Sequence, residues 1–171
     1  MRKWSLMPLA ASLLLTLTCA EVATADDMAS IRVQLVAFVD ELQRERPTAD
    51  GLTERVRAYV ERCPLACYGS TVTLLGDEGR AIASPYWYRR DGQLEFSDLM
   101  AAPYRIDDQE WLTAPLKTGA AVWSDPYFDA GGGDVWMRTL SIPVIIDAKI
   151  VAIATTDLQV PPPTTASDQK H

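Results

Sequence analysis

The first third of the chain shows the apolar spacing of amphipathic helices. Apolar residues recur at steps of three and four along one stripe, which consists of Met28, Ile31, Leu35, Phe38 and Leu42. This spacing predicts a helix over residues 28–44 that is capped by Asp26 or Asp27 and ends before Pro47. The stripe can pack on the protein's own sheet or form the seam of a homodimer. A second, shorter helix is predicted to begin near Asp50 and to stop at Cys63-Pro64.

From Ser70 onward the pattern changes to that of β-strands. Predicted strands cover residues 70–75, 80–88, 121–128, 135–146 and 150–160. Short turns, such as the one at Asp91-Gly92, favour antiparallel pairing of neighbouring strands. The irregular segment 97–119 contains a short helix that starts near Asp107. The sequence therefore predicts an α+β fold: a long N-terminal helix packed on a five- to six-stranded antiparallel sheet, with an insert of helix and loop.

The N-terminus has the features of an export signal. Arg2 and Lys3 precede an apolar stretch over residues 6–17, which is short for a membrane span. Ala23-Thr24-Ala25 then forms a cleavage pattern of small residues. We therefore predict a signal peptide over residues 1–25 and a periplasmic or secreted protein.

The rest of the chain is predicted to form one domain over residues 26–160, followed by a disordered polar tail over residues 161–171. Two alternatives to a cleaved signal stay open at this stage. The apolar segment can remain as an uncleaved anchor, or Cys19 can carry a lipid. Thr16 and Thr18 depart from the usual residues around a lipid-modified cysteine, which favours cleavage.

Composition and charge exclude several classes of function. The 171 residues carry a net charge of −7 and no dense basic run, whereas nucleic-acid binding needs several positive charges on one face. The only histidine, His171, lies in the tail, which argues against histidine-dependent catalysis. Asp125, Asp129 and Asp134 surround a glycine loop and form either a cation site or, by our preferred interpretation, a solvated acidic turn. We predict no enzyme activity, no catalytic residues, no metal site and no cofactor.

Two cysteines remain after the predicted cleavage, Cys63 and Cys67. An even pair in an oxidising compartment favours a structural disulfide across the turn before the first strand. Their spacing differs from that of redox motifs, and no histidine or third cysteine lies nearby in sequence. A redox or metal role is the weaker alternative.

An aromatic-rich stretch between Tyr86 and Leu158 contains four of the five tryptophans. Within it, Asp157 follows the apolar run 150–154 and is expected in or beside a buried strand. A buried carboxylate must be hydrogen-bonded or paired, because burying it bare is very costly. Asp157 therefore either faces a small-molecule pocket or is satisfied structurally by backbone N–H groups or by an arginine such as Arg138.

Several segments, taken together, carry a resemblance to a known family. They are the long first helix, Ser84 to Arg89 (SPYWYR), the helix with Trp111, Trp123 to Asp129 (WSDPYFD), the Gly131–Gly133 loop and the strand ending at Thr156-Asp157-Leu158. In these segments the chain resembles the Cache family, the extracellular PAS-like (PDC) sensor domains of bacterial receptors. The resemblance covers roughly residues 28 to 160.

The resemblance implies a ligand held between the sheet and the insert of helix and loop. The residues that it implicates are Tyr88, Tyr104, Trp111, Trp123, Tyr127, Asp129 and Asp157, and the last of these often receives a ligand ammonium group. Gln109 and Leu112 stand where the amino-acid-binding branch of the family has an arginine and a tyrosine. An α-amino acid is therefore disfavoured, because the arginine clamp for its carboxylate is missing. Arg105 is a nearby substitute.

The resemblance also implies a sensor that needs a partner, because the sequence shows neither a second membrane span nor an output domain. We expect a small organic ligand, an amine or a carboxylate, and a membrane sensor kinase or chemoreceptor as the partner. The alternative is an interaction or dimerisation module that binds no ligand and acts on such a kinase through its first helix.

Overall fold

The computed structural model describes residues 24–163. The predicted signal peptide up to residue 23, with Cys19, and the tail from residue 164 lie outside the described residues. The helices are α1 (Ala25–Glu45), α2 (Leu52–Arg62) and α3 (Glu110–Thr118), and a 3-10 turn over Ile106–Asp108 precedes α3. No helix among residues 24–163 combines the length and apolar character needed to cross a membrane.

The start of α1 corrects the predicted cap. The helix begins three residues earlier than expected, and its N-cap is Thr24 rather than Asp26 or Asp27. The Thr24 Oγ1 accepts a hydrogen bond from the Asp27 N–H (3.2 Å), and the Asp27 carboxylate accepts one from the Thr24 N–H (2.8 Å). Asp27 thus supplies the other half of a capping box, which satisfies backbone donors that the helix leaves free.

Eight strands form one antiparallel sheet. They are β1 (Cys67–Leu75), β2 (Ala81–Ala83), β3 (Pro85–Arg90), β4 (Gln93–Asp98), β5 (Val122–Trp123), β6 (Tyr127–Phe128), β7 (Trp136–Ile146) and β8 (Lys149–Gln159). Their order is β4-β3-β1-β8-β7-β5, with β2 paired to β1 and β6 paired to β7. The α+β fold and the antiparallel sheet are confirmed.

The strand count exceeds the predicted five to six because two predicted strands divide and one was missed. The segment 80–88 divides at Ser84, directly before Pro85, which has no N–H to donate, and the buried Ser84 hydroxyl bonds to Thr71 and Thr73. The segment 121–128 divides near Pro126, which has no N–H to donate. The missed strand, β4, has only a short alternation, in which Leu94 and Phe96 are the apolar residues, and none of its residues is fully buried.

The face of the sheet that carries α1 and α2 holds the main apolar core. Ile31 and Leu35 are fully buried in it, and the Phe38 ring stacks on the Tyr59 ring with centroids 4.4 Å apart. The apolar stripe of the first helix therefore packs on the protein's own sheet and is not a free dimer seam. The side of α1 that faces solvent exposes Val33 instead.

The opposite face of the sheet is covered by the segment that runs from Leu99 to Thr118, which we call the insert. A second cluster of buried side chains lies between them, built largely from aromatic residues: Tyr68, Tyr86, Tyr88, Leu99, Ile106, Trp111, Leu112, Met137 and Ile153. Along β8, Ala154 and Leu158 belong to the helix-side core, whereas Ile153 belongs to this second cluster. Strand alternation therefore gives the two faces different residues.

Candidate ligand-binding site

A small cavity lies between the sheet and the insert. Nine residues line it: Thr71, Tyr86, Leu99, Tyr104, Trp111, Tyr127, Asp129, Thr155 and Asp157. Its volume is about 10 Å³, which is close to the room needed by one water molecule. The lining contains two carboxylates and no lysine or arginine, so the cavity is aromatic, polar and negative.

Asp157 reaches the cavity from the middle of the sheet. On β8 it pairs with Thr139 of β7 on one side and with Gly69 of β1 on the other. The Thr139 hydroxyl donates to the Asp157 Oδ1 (2.7 Å), and the Tyr127 hydroxyl lies 2.8 Å from the same threonine oxygen. Because the Thr139 proton is used on the carboxylate, the Tyr127 hydroxyl is the donor in the second contact. Asp157 is thus held by a chain of side-chain hydroxyls, not by its own backbone.

Asp129 reaches the cavity from the loop after β6. Its Oδ1 accepts from the Tyr104 hydroxyl (2.8 Å), which in turn accepts from the Trp111 indole N–H (3.1 Å). Its Oδ2 accepts from the backbone N–H of Gly133 (2.9 Å). The loop wraps so closely that a Cβ atom at Gly132 would collide with this carboxylate. The glycine loop therefore fixes Asp129, and Asp129 anchors two aromatic residues of the insert.

Burial dominates the electrostatics of both carboxyl groups. Asp157 is 4% exposed and Asp129 is 5% exposed. Desolvation raises the pKa of Asp157 to about 7, the nearby Asp129 charge adds to this rise, and the Thr139 hydrogen bond opposes it. Desolvation also raises the pKa of Asp129, against the hydrogen bonds from Gly133 and Tyr104. Neither group forms a salt bridge with any residue in the described part of the chain.

Arg138, the predicted structural partner of Asp157, points to the other face of the sheet. Its Nε donates to the Ser124 carbonyl (3.0 Å), and its guanidinium lies 5.9 Å from the centroid of the Trp123 ring. A bulge in the β7–β8 ladder, between Val144 and Ile145, causes this placement. Without the bulge Asp157 would pair with Arg138, but the one-residue shift pairs it with Thr139.

Tyr86 completes the cavity wall through a close approach to the backbone. A Cβ atom at Gly69 would lie 2.5 Å from the Tyr86 hydroxyl oxygen, so only a glycine leaves room for this ring. The side chain is 2% exposed. Its hydroxyl makes no well-formed hydrogen bond within residues 24–163, although it lies near enough to Asp157 to influence the pKa of that carboxyl. A buried, unpartnered hydroxyl beside a carboxylate is an expensive arrangement to keep.

The structure brings together five of the seven residues predicted for the ligand site. Tyr104, Trp111, Tyr127, Asp129 and Asp157 line the cavity. The other two predicted residues lie elsewhere, which corrects their placement.

Tyr88 lies behind the cavity wall. Its ring stacks on that of Tyr86 with centroids 5.2 Å apart, and its hydroxyl donates to Glu95 (2.9 Å). Trp123 packs against the helix-side core, on the far face of the sheet. Trp123 occupies the opposite face, which a single sequence does not fix, whereas Tyr88 shares the face of Tyr86 but does not line the cavity.

Four lining residues were not predicted, namely Thr71, Tyr86, Leu99 and Thr155, and neither was Thr139, which holds Asp157. The alternation of β8 could have indicated Thr155, because it lies two residues from Asp157 and therefore on the same face. Nothing in the sequence indicates Leu99. For Asp125 and Asp134, no group of three potential metal ligands that includes them is found among residues 24–163.

Cys63 and Cys67 lie at the turn between α2 and β1, and both are buried free thiols. The Cys63 Sγ lies 3.8 Å from the Tyr59 hydroxyl. Because the two thiols are not bonded to each other in the structure, the disulfide between Cys63 and Cys67 stays a prediction.

Comparison with known proteins assigns the family. The profile of the methyl-accepting chemotaxis protein-like, first PDC sensor domain family matches residues 52–161. No curated protein sequence matches the chain.

Several solved structures share the fold. The extracellular domain of soHK1S-Z6, a protein assigned as a histidine kinase, has a TM-score of 0.65 at 19% identity, over 77% of this chain and 53% of that one. The Campylobacter jejuni chemoreceptor Tlp3 domain in complex with L-valine has a TM-score of 0.53 at 15% identity, over 78% and 53% of the two chains. The Pseudomonas aeruginosa PAO1 amino acid chemoreceptor PctC domain in complex with GABA has a TM-score of 0.54 at 14% identity, over 78% and 57%.

At these identities the structures show a shared fold, and the chain spans little more than half the length of each of them. The family profile, in contrast, covers well over half of the chain itself. The chain therefore belongs to the methyl-accepting chemotaxis protein-like PDC sensor domain family.

Proposed function

We propose that this chain is an extracytoplasmic sensor domain that binds a small organic amine between Asp157, Asp129 and the aromatic residues of the insert. The observation that carries the proposal is the pair of buried carboxylates without an ion-pair partner among residues 24–163. A bound ammonium group would supply the missing counter-charge and would donate hydrogen bonds to both acids.

The cavity wall supports an amine rather than a carboxylate. The tyrosine and tryptophan rings around it favour a cation through their negative faces. No lysine or arginine lines the cavity to receive a ligand carboxylate. Arg105, the substitute clamp suggested by the sequence, has a side chain that is 81% exposed and pairs with Asp108. The relatives Tlp3 and PctC bind L-valine and GABA, which carry an ammonium group and a carboxylate, so they support an ammonium contact but do not discriminate between the two ligand classes.

Ligand entry requires the insert to move, because the cavity has room for about one water molecule. The hydrogen-bond chain Trp111–Tyr104–Asp129 joins the insert to the loop after β6. An ammonium group at Asp129 would compete for the acceptor that Tyr104 uses. Binding would thus be coupled to the position of the insert, which is what a sensor needs in order to change shape with occupancy.

Output would pass through a partner outside the described residues, and a membrane sensor kinase or chemoreceptor is the class that the family supports. Export through the predicted signal peptide would place the domain in an oxidising compartment. There we expect Cys63 and Cys67 to form a disulfide, because both thiols lie at the same turn between α2 and β1 and an oxidising compartment favours their pairing. The proposal contains no catalytic step.

A second candidate function is an interaction module that binds no ligand. The small volume of the cavity favours it, and so does the apolar patch on α1, where Val33 is 67% exposed and Val36 is 42% exposed. In that case polar substitution of the two valines would abolish a complex, and changes at Asp157 would have no effect on it.

The test is calorimetric titration of the purified protein with 1-aminobutane, butanoate, L-valine and GABA, with Asp157→Asn as the variant. We expect 1-aminobutane to bind, butanoate not to bind, and the substitution to weaken amine binding at least tenfold because the counter-charge is lost. Asp125→Asn, at an exposed position, is the matched control and should bind like the unmodified protein. Equal amine binding by Asp157→Asn would refute the proposal.

A further inference from the structure

We propose that the ligand site extends from Asp157 past Trp111 to a second subsite at Ser141, so that it selects a linear diamine with about four to five carbon atoms between its nitrogen atoms. This inference rests on the proposed function, because it assigns the far end of the ligand whose first ammonium group is placed at Asp157. Nothing in the sequence pattern or in the resemblance indicated Ser141.

The second subsite is a separate cavity that also has Trp111 in its lining. It is lined by residues of α3, β5 and β7, among them Glu110, Pro115, Ser124 and Ser141, and its volume is about 10 Å³. Ser141 is 1% exposed, and its hydroxyl has no hydrogen-bond partner among residues 24–163. Such a hydroxyl is costly unless a polar group occupies the space beside it.

The sheet register places the two cavities in line. Thr139 pairs with Asp157, and two residues further along β7, Ser141 pairs with Thr155. All four side chains therefore lie on the face that carries the insert. Asp157 and Ser141 occupy diagonal positions of an antiparallel pair, which are separated by roughly 7–8 Å. That separation suits the two ends of a short, extended chain lying over Thr155.

Trp111 is the wall that the two cavities share. Each cavity alone holds about one water molecule, but displacement of the indole joins them into one channel along the sheet. The indole and Pro115 would then cover the methylene groups of the ligand. The Trp111 N–H bond to Tyr104 is broken by this displacement, which links the second subsite to the movement of the insert.

The charge of the two subsites favours an amine at both ends. Glu110 stands at the second cavity, opposite the end that holds Asp157 and Asp129, and no lysine or arginine lines either cavity. Glu110 is exposed at the start of α3, so its charge would act on the far end of the ligand from the rim of the cavity, where it disfavours a carboxylate and favours an ammonium group that donates to the Ser141 hydroxyl. The channel therefore discriminates a diamine from an amino acid of equal length.

The experiment compares three four-carbon ligands in calorimetric titration: 1,4-diaminobutane, 1-aminobutane and GABA. We expect the diamine to bind at least tenfold more tightly than 1-aminobutane, and GABA to bind more weakly than both. Ser141→Ala should bring the diamine within about threefold of 1-aminobutane and leave the monoamine unchanged. Its ligand-free melting temperature should not fall, because the lost hydroxyl has no partner. Ser30→Ala, at an exposed position of α1 on the other face of the sheet, is the matched control.

The outcomes separate this inference from the proposed function. Equal affinity for the diamine and the monoamine, with binding still abolished by Asp157→Asn, overturns the second subsite and leaves the amine sensor standing. A Ser141→Ala variant that keeps the full preference for the diamine overturns it as well. Failure of both amines to bind overturns the proposed function and this inference together.

Discussion

The two faces of the sheet are built from alternate residues of the same strands, yet they bury different chemistry. On the helix side, Leu140 and Ala154 pack against the apolar stripe of α1, and this core contains only a few hydroxyl groups. On the insert side, the neighbouring residues Thr139 and Thr155 belong to a polar network around Asp157. The helix side therefore buries mainly apolar groups, whereas the insert side adds two carboxyl groups and several hydroxyls to an aromatic cluster.

Because of this contrast, we expect the helix side to contribute most of the stability and the insert side to contribute ligand binding. Apolar burial on the helix side contributes stability at little polar cost. The insert side holds two desolvated carboxyl groups and two hydroxyls, of Tyr86 and Ser141, that lack partners among residues 24–163. Such groups reduce the stability of the ligand-free domain, and a ligand that pairs with them recovers that free energy as affinity.

The largest effect is expected on the helix side. Leu35→Ala removes a fully buried side chain, and we expect it to lower the free energy of unfolding by about 2–5 kcal/mol through lost burial and a residual cavity. Urea denaturation measures this loss. Val33→Ala on the exposed side of the same helix is the control and should change stability by less than about 0.5 kcal/mol. Amine affinity should be unchanged in both variants, and a selective loss of affinity would contradict the separation of the faces.

The next effect is a dependence of stability on pH that comes from the insert side. The pKa of Asp157 rises from 3.8 in its ordinary state to about 7 in the fold. Between these values the folded protein holds a proton that the unfolded chain has released, so the free energy of unfolding falls as pH rises through this window. The upper limit of this fall is about 4 kcal/mol. The raised pKa of Asp129 acts in the same direction.

Denaturation at pH 5 and pH 8 tests this dependence, and Asp157→Asn should flatten it. Because the amine binds the ionised carboxylate, its affinity should also rise about tenfold from pH 6 to pH 8, following the ionised fraction of a group with a pKa of about 7. Stability that increases over the same range would show that Asp157 is not desolvated.

The smallest effect compares two buried tyrosine hydroxyls, one from each face. The Tyr59 hydroxyl, on the helix side, lies 2.7 Å from the Thr156 hydroxyl, whereas the Tyr86 hydroxyl has no well-formed partner in residues 24–163. We expect Tyr59→Phe to cost about 1 kcal/mol and Tyr86→Phe to leave stability unchanged or slightly raised. Thermal unfolding of the ligand-free variants measures both. A larger loss for Tyr86→Phe would mean that its hydroxyl does bond to Asp157.

Much of the fold could be predicted from the sequence because the residue patterns that indicate helices and strands are local. The three- and four-residue spacing of Ile31 and Leu35 identified the buried stripe of α1, and the apolar run before Asp157 identified the strand that carries the acid. The strand β4 was missed although Leu94 and Phe96 alternate with polar residues after the Asp91-Gly92 turn, because this alternation is short. Of the residues predicted for the site, the two acids and three aromatic residues line the cavity, whereas Tyr88 and Trp123 do not, and ligand binding by any of them stays a prediction.

The apolar run over residues 150–154 was enough to predict that the Asp157 carboxylate is buried, because this signal is local. The groups that surround the carboxylate come from distant parts of the chain and depend on the tertiary structure. A single bulge in the β7–β8 ladder shifts the register by one residue and turns Arg138 to the opposite face. Register depends on how two strands pair across the sheet, so the charge that would have neutralised Asp157 was removed by packing rather than by composition.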